Sequence, residues 1–302
     1  MSRDFLKAMG WAILGSFLFA LMFCLPKLTS EAVPPVEIAF LRYFAGFLTI
    51  LPFFLHRYGA SQAAPEVLGP SKRRLNLLHM LRAGCGVASV AFGSYAVLNI
   101  PVANAQAIAM TNGVFAVALA AVFLGERVTT RDFVAGAVCL AGAIVVAGPD
   151  PDAPGWISLG AAAALVQALA WGSEVVLLRF AAVNDTPQRT LTIVNGSAAL
   201  GLAVFTAWAW ERLALNDLLI LRAMGPIAIF GQYCNILAFR AAETAKLVPI
   251  KYIGLVFAAL LGLLFFGEWP RPAAILGAAL IVGGALYLAR HKPAQTAAAI
   301  RP

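Results

Sequence analysis

Charge is what this sequence has least of. Only 12% of its 302 residues are Asp, Glu, Lys or Arg, about half the share carried by a soluble globular chain. So few ions cannot coat a soluble fold of this length. Soluble enzymes, disordered scaffolds and nucleic-acid binders are thereby excluded, and the solvent must be largely lipid. Histidine is reduced to His56, His79 and His291, at spacings that hold no metal. The cysteines Cys24, Cys85, Cys139 and Cys234 lie far apart inside apolar segments. Without a Cys-x-x-Cys pair they form no zinc site or disulfide framework and read as small packing residues. No Gly-x-x-x-x-Gly-Lys-[Ser/Thr] loop is present to cradle phosphates, and neither Gly-x-Ser-x-Gly nor His-Glu-x-x-His occurs. The chain therefore reads as neither an ATP-driven motor nor a hydrolase, with no cofactor implied.

What is present is apolar length, with 61% of the residues hydrophobic. A membrane helix needs about 20 mostly apolar residues to cross roughly 30 Å of hydrocarbon. Ten stretches qualify, at 8–26, 35–55, 76–98, 102–123, 131–148, 155–179, 188–210, 218–239, 244–266 and 271–289. Prolines mark most of the joints, among them Pro34, Pro35, Pro101, Pro149, Pro187 and Pro270, as expected near helix ends. Arg3 and Lys7 precede the first run as they would in a signal peptide. That run is too long for one and is followed by more, so it reads as the first span.

The net charge of +8 then becomes a statement about topology. With the N-terminus inside, Lys27, Arg212, Arg222 and Arg271 fall outside, and Arg42 and Lys251 fall within spans. The remaining sixteen of the 22 basic residues fall inside. Basic residues collect on cytoplasmic loops, so both termini are predicted to be cytoplasmic. Insertion explains the basic balance without any nucleic acid.

The two halves echo each other at an offset of about 140 residues. Gly10-Trp11 with Gly15 returns as Gly155-Trp156 with Gly160. Leu81-Arg82-Ala83 returns as Leu221-Arg222-Ala223, and Phe92-Gly93-x-Tyr95 as Phe230-Gly231-x-Tyr233. Gly125-Glu126 returns as Gly267-Glu268. Two units follow, 1–149 and 150–302, each of five spans. An odd number of spans puts the second copy into the membrane upside down, and inverted repeats around a midplane site belong to secondary transporters.

Three segments carry a resemblance to a known family. They are Pro35 to Tyr43 in span two, Pro101 to Glu126 around span four, and Glu243 to Glu268 around span nine. In these the chain resembles the drug/metabolite transporter superfamily, in its ten-helix type with two EamA domains. The resemblance implies an inner-membrane transporter of a small organic metabolite. Family members export amino acids and related metabolites or import solutes such as S-adenosylmethionine and riboflavin. Pro35 to Tyr43 and Lys251-Tyr252 look most like the S-adenosylmethionine-type branch. The resemblance also places the last span of each half away from the centre. There Gly136 with Ala143, and Gly277 with Gly284, each present a small face for scaffold packing or a homodimer contact.

Arg42 and Lys251 are the sharpest candidates. A cation near the bilayer centre costs about 2.5–3.5 kcal/mol on insertion scales, and a wet cavity holding a substrate carboxylate or phosphate would compensate it. Snorkelling, or a structural ion pair with Glu37 or Glu174, is the alternative for both of these long side chains. Gln167, Trp171 and Glu174 share one face of span six, and Tyr95 and Tyr233 are repeat partners that could form matching walls. Asn195, Gln232 and Asn235 add hydrogen-bonding capacity, Gln106, Met110 and Gly113 share a face of span four, and Tyr252 and Trp171 could stack on an organic solute. Interhelical hydrogen bonding accounts equally for the neutral polar residues. Glu174 is the candidate for proton coupling, with a pair to Arg179 as its alternative. Glu126 and Glu268 end their spans where an acid satisfies exposed N–H groups of the next helix.

The sequence thus predicts an all-α membrane protein of ten spans in two inverted repeats. Its expected task is exporting an anionic or zwitterionic amino-acid-derived metabolite by alternating access. Import of S-adenosylmethionine or a vitamin is the alternative, and a non-transporting membrane subunit a more distant one.

Overall fold

Long runs of Leu, Ala, Val and Phe, broken by Gly and Pro at the joints, leave the backbone one economical way to satisfy its hydrogen bonds in lipid: helices. A computed structural model describes residues 3–30, 33–60, 72–124, 130–147, 158–182, 186–210, 212–241 and 253–291. All regular structure among them is helical. The first half holds α1 (Arg3–Cys24) with a 3₁₀ turn (Leu25–Leu28), α2 (Pro35–Ala60), α3 (Lys72–Asn99), α4 (Val102–Ala109), α5 (Asn112–Leu124) and α6 (Thr130–Ala147). The second holds α7 (Leu159–Ala182), α8 (Pro187–Ala209), α9 (Leu215–Ala241), α10 (Ile253–Phe266) and α11 (Pro272–His291).

Among the described residues five helices are long and apolar enough to cross a membrane: α1 with its 3₁₀ turn, α2, α3, α7 and α8. The other predicted spans differ for identifiable reasons. α9 is long, but Arg222, Gln232 and Asn235 dilute it. The apolar parts of α6 and α11 are shorter, at Val134–Val146 and Pro272–Gly284. Predicted span four is two helices, α4 and α5, parted at Met110–Thr111. Large apolar side chains such as Phe53, Leu200, Phe205 and Leu264 face outward, which suits hydrocarbon rather than water.

The helices pair across the two halves in matched sets. α1 lies on α9 as α3 lies on α7, and α1 on α10 as α5 on α7. α2 meets α8, α4 meets α10, and α6 meets α11. Small residues set the closest of these approaches. A Cβ on Gly225 of α9 would strike the backbone of Ala45 and Gly46 in α2. A Cβ on Gly142 would lie 2.7 Å from the carbonyl oxygen of Gly277, and one on Gly277 2.6 Å from that of Gly142. The small face of Gly277 and Gly284 is thus spent on α6 within the chain.

One ionic junction ties the ends of several helices. α10 stops at Gly267, whose φ of 65° is the left-handed conformation that glycine adopts freely at a helix end. The turn folds the next residue back, so that the Glu268 N–H donates to the Gly262 carbonyl at 3.2 Å. Glu268 then pairs with Lys27 and accepts the Val102 N–H at 2.9 Å. It therefore caps α4, where the sequence predicts a cap on the next helix, α11. The Lys27 ammonium also lies 5.3 Å from the centre of the Phe266 ring. Glu126 lies outside the described residues.

Two glycines on α11 test the packing. Gly277→Val, driven into the α6 backbone, is expected to cost about 1–3 kcal/mol and to lower the unfolding midpoint in detergent. Gly283→Ala, with nothing within 4 Å of the new carbon, should leave it unchanged.

Candidate functional site

The break in the fourth span is where the site begins. Thr111, Asn112 and Gly113 are three successive weak helix formers. At this point the ladder tightens. Met110 N–H donates to both Gln106 and Ala107 carbonyls, at 3.1 and 3.2 Å, and Thr111 N–H donates to Ile108 at 3.0 Å. The Thr111 hydroxyl donates to the same Ile108 carbonyl at 2.7 Å, supplying locally what the broken helix no longer can. Gly172 lets α7 come close enough for the Asn112 carbonyl to rest against it.

Beside the break lies a narrow, partly open cleft with a cavity volume of about 30 Å³. Its walls are Ser16 and Phe19 of α1, Gln106 of α4, Met110 at the break, Trp171 of α7, Asn235 of α9 and Gly254 of α10. In this conformation it has room for about two waters, far below the size of a ligand pocket. The lining mixes rings and a thioether with amides, which suits an organic solute that carries polar groups. Oδ1 of Asn235 and Oε1 of Gln232, one turn apart on α9, are buried without a hydrogen-bond partner among the described residues. Such acceptors each cost about 1–3 kcal/mol. They are what a site awaiting a donor looks like.

A charged cluster adjoins the cleft along α7. Glu174, one turn beyond Trp171, accepts from Arg82 Nη2 of α3 at 3.1 Å. Arg42 of α2 is 4% exposed, and its guanidinium stacks on the Tyr43 ring at 3.9 Å. The Tyr43 hydroxyl and Glu174 Oε2 both rest over Gly86 of α3, where a side chain would displace the hydroxyl.

The sequence candidates separate accordingly. Trp171 and Met110 line the cleft, and Gln232 stands beside it on α9. Arg42 and Glu174 enter the charged cluster. Gln167 shares their helix face but packs against Gly93 of α3. Asn195 is buried against Gly46 of α2, with its Nδ2 donating to the Leu191 carbonyl at 2.7 Å. Tyr95 packs into the apolar core. Tyr233 is 44% exposed, so the two tyrosines do not form matching walls. Lys251 and Tyr252 lie outside the described residues. Glu174 pairs with Arg82, not with Arg42, and nothing is described of the Arg179 side chain.

Sequence reasoning missed Ser16, Phe19 and Gly254 as lining residues, because only cross-helix packing distinguishes them from their neighbours. It also counted Arg82 among the inside cations, whereas Arg82 is buried in the bundle. Its position ten residues into α3 is the signal that was available.

Comparison with known proteins gives the site a context. The EamA-like transporter family profile matches residues 6–148 and again 158–290. The chain is 32% identical over 291 residues to a riboflavin transporter of Rhizobium johnstonii, covering 93% of this chain and 90% of that one. It is 30% identical over 287 residues to the pseudopaline exporter CntI of Pseudomonas aeruginosa, covering 93% and 95%. It is 21% identical over 292 residues to an S-adenosylmethionine uptake transporter of Rickettsia felis, covering 95% and 93%. A solved crystal structure with 24% identity aligns at a TM-score of 0.61 over 96% of this chain and 98% of that one, a likeness of fold.

Asn235 offers a direct check on the unpaired acceptors. Removing a buried oxygen that has no partner relieves its desolvation, so Asn235→Leu should stabilise the purified protein by about 1–2 kcal/mol. A lower unfolding midpoint would show that the amide is already satisfied.

Proposed function

Because the chain belongs to the EamA-like transporter family, we propose that it exports a small anionic or zwitterionic solute, an amino acid or an amino-acid-derived compound, by alternating access. It is a multi-pass transporter of small molecules in the bacterial inner membrane, and not an enzyme. The carrying observation is the cleft at the Met110–Thr111 break. Irregular backbone at membrane depth is tolerated where it is buried in protein or lines a cavity, and transporters place their sites at such interrupted helices.

The matched pairings across the two halves and the double family match support two inverted five-span repeats, and the excess of inside basic residues supports cytoplasmic termini. In the register of those repeats Lys251 and Tyr252 stand opposite Ala109 and Met110, and Gly254 already lines the cleft. Lys251 and Arg42 take the acidic group, while Trp171 and Tyr252 flank the organic body. Asn235 and Gln232 offer carbonyl oxygens to an ammonium, which favours a zwitterion. Glu174 is the carboxylate through which a proton would couple. Tyr95, Tyr233, Asn195 and Gln167 belong to the framework in this reading. Helices rocking about the cleft would open it to each side in turn.

Export follows the likeness to the pseudopaline exporter. Uptake is the second reading, favoured by the relatives that are named a riboflavin transporter and an S-adenosylmethionine uptake transporter.

Proteoliposomes decide between these readings. Amino acids, pseudopaline, riboflavin and S-adenosylmethionine are offered in turn, and saturable flux is expected for a carboxylate-bearing solute. A lost charged hydrogen bond is worth about 1.5–3 kcal/mol, so Lys251→Ala should weaken apparent affinity about tenfold or more at normal protein abundance. Growth of a riboflavin auxotroph on limiting vitamin would support uptake instead. Background flux across the panel from well-folded protein would remove the export proposal.

A further inference from the structure

We infer that Arg42, Arg82 and Tyr43 form a carboxylate-binding site within the bundle, occupied in this conformation by the chain's own Glu174. The acidic group of a solute takes the site when Glu174 moves off. The inference deepens the transport reading by naming where the acid is held. It rests on that reading for its use, whereas anion binding can be read without any flux.

Four buried nitrogens carry it. Nε and Nη1 of Arg42, and Nε and Nη1 of Arg82, have no hydrogen-bond partner among the described residues, and each arginine is 4% exposed. Arginine presents a rigid fork that a carboxylate can fill with two parallel bonds. Glu174 fills it poorly, with one bond to Nη2 of Arg82 at 3.1 Å. Both arginines are buried, and among the described residues Glu174 pairs with Arg82 and not with Arg42. A pair kept for structure alone would be expected to close its network, because a half-satisfied buried network is worse than an apolar core.

The duplication supplies an internal control. Arg222, which stands where Arg82 stands in the first half, is exposed, so the fold itself does not require a buried arginine there. Asn195, opposite Arg42 in the repeat, is satisfied by its own helix. The cluster has been built once, on the half of the bundle where α7 carries Trp171 into the cleft. Trp171 and Glu174 are three residues apart, about 4.5 Å along the helix axis, so a solute seated against the indole brings its acidic end to the arginines. Glu174 is also the more accessible partner, with its side chain 18% exposed against 5% for Arg82. It is the side free to leave. Gly86 keeps the floor clear, since any side chain there would displace the Tyr43 hydroxyl.

The test uses the full-length purified protein in detergent, with acetate and glutamate as probes and the unfolding midpoint as readout. Glu174→Gln removes the internal competitor, so acetate and glutamate should stabilise this variant at concentrations about tenfold lower than they stabilise the wild type, as expected when an occupied site becomes free. Glu174→Gln/Arg82→Gln removes the buried pair together. It should fold without anion and lose the response. If Glu174→Gln is too unstable to purify alone, purification in acetate should recover it. Equal responses in wild type and Glu174→Gln would overturn the site. So would an unchanged response in the double variant, or failure of acetate to recover the single variant while the double one folds. Anion binding without flux would leave this site standing and sink the transport reading; flux without anion binding would do the reverse.

Discussion

A backbone inside hydrocarbon has no water to turn to, so every N–H and C=O must find its partner within the protein. The organisation of this chain follows from that constraint. It makes the described residues helical, puts Gly and Pro at the joints, and makes a helix broken in mid-span expensive. The break at Met110–Thr111 persists because α7 packs against both halves of the span and α10 against the first, while Thr111 satisfies Ile108 locally. Glu268 does the corresponding work at the start of α4, where its carboxylate receives the Val102 N–H and balances Lys27. The first turn of the broken span is thereby fastened to residues from both halves of the chain.

The same constraint gives the polar groups their meaning. An unpaired amide or guanidinium at a water-exposed surface would signify little. Buried between helices, the oxygens of Asn235 and Gln232 and the nitrogens of Arg42 and Arg82 reduce stability. Proteins that carry such groups lose stability in return for function, and the losses concentrate at sites. Here the acceptors lie on α9, where Asn235 lines the cleft, and the donors on α2 and α3, beside Glu174 on the helix that carries Trp171 into it.

Much of the fold was legible because its determinants are local. Apolar runs locate helices, and Pro101 and Gly267 end them where their backbone preferences dictate. The break itself was missed: averaging hydropathy over a span hides Thr111-Asn112-Gly113 among apolar neighbours. The site was legible only in part. Trp171, Met110 and Arg42 stand out by residue type, whereas Ser16, Phe19 and Gly254 are ordinary until the helices are packed. Repeat logic misled for Tyr233, because equivalent positions on α3 and α9 do not face equivalent surroundings. It also hid Arg82, whose counterpart Arg222 does lie exposed.

The central claim is that the broken span lines the path of the solute. In a background with Cys24, Cys85, Cys139 and Cys234 replaced by alanine, Met110→Cys can be probed with a small polar thiol reagent applied from either side of the membrane. The cleft should be reached from both sides in turn, so labelling is expected from each, and a transported solute should slow it. A Met110→Cys protein that transports normally yet stays unlabelled from both sides would contradict the account.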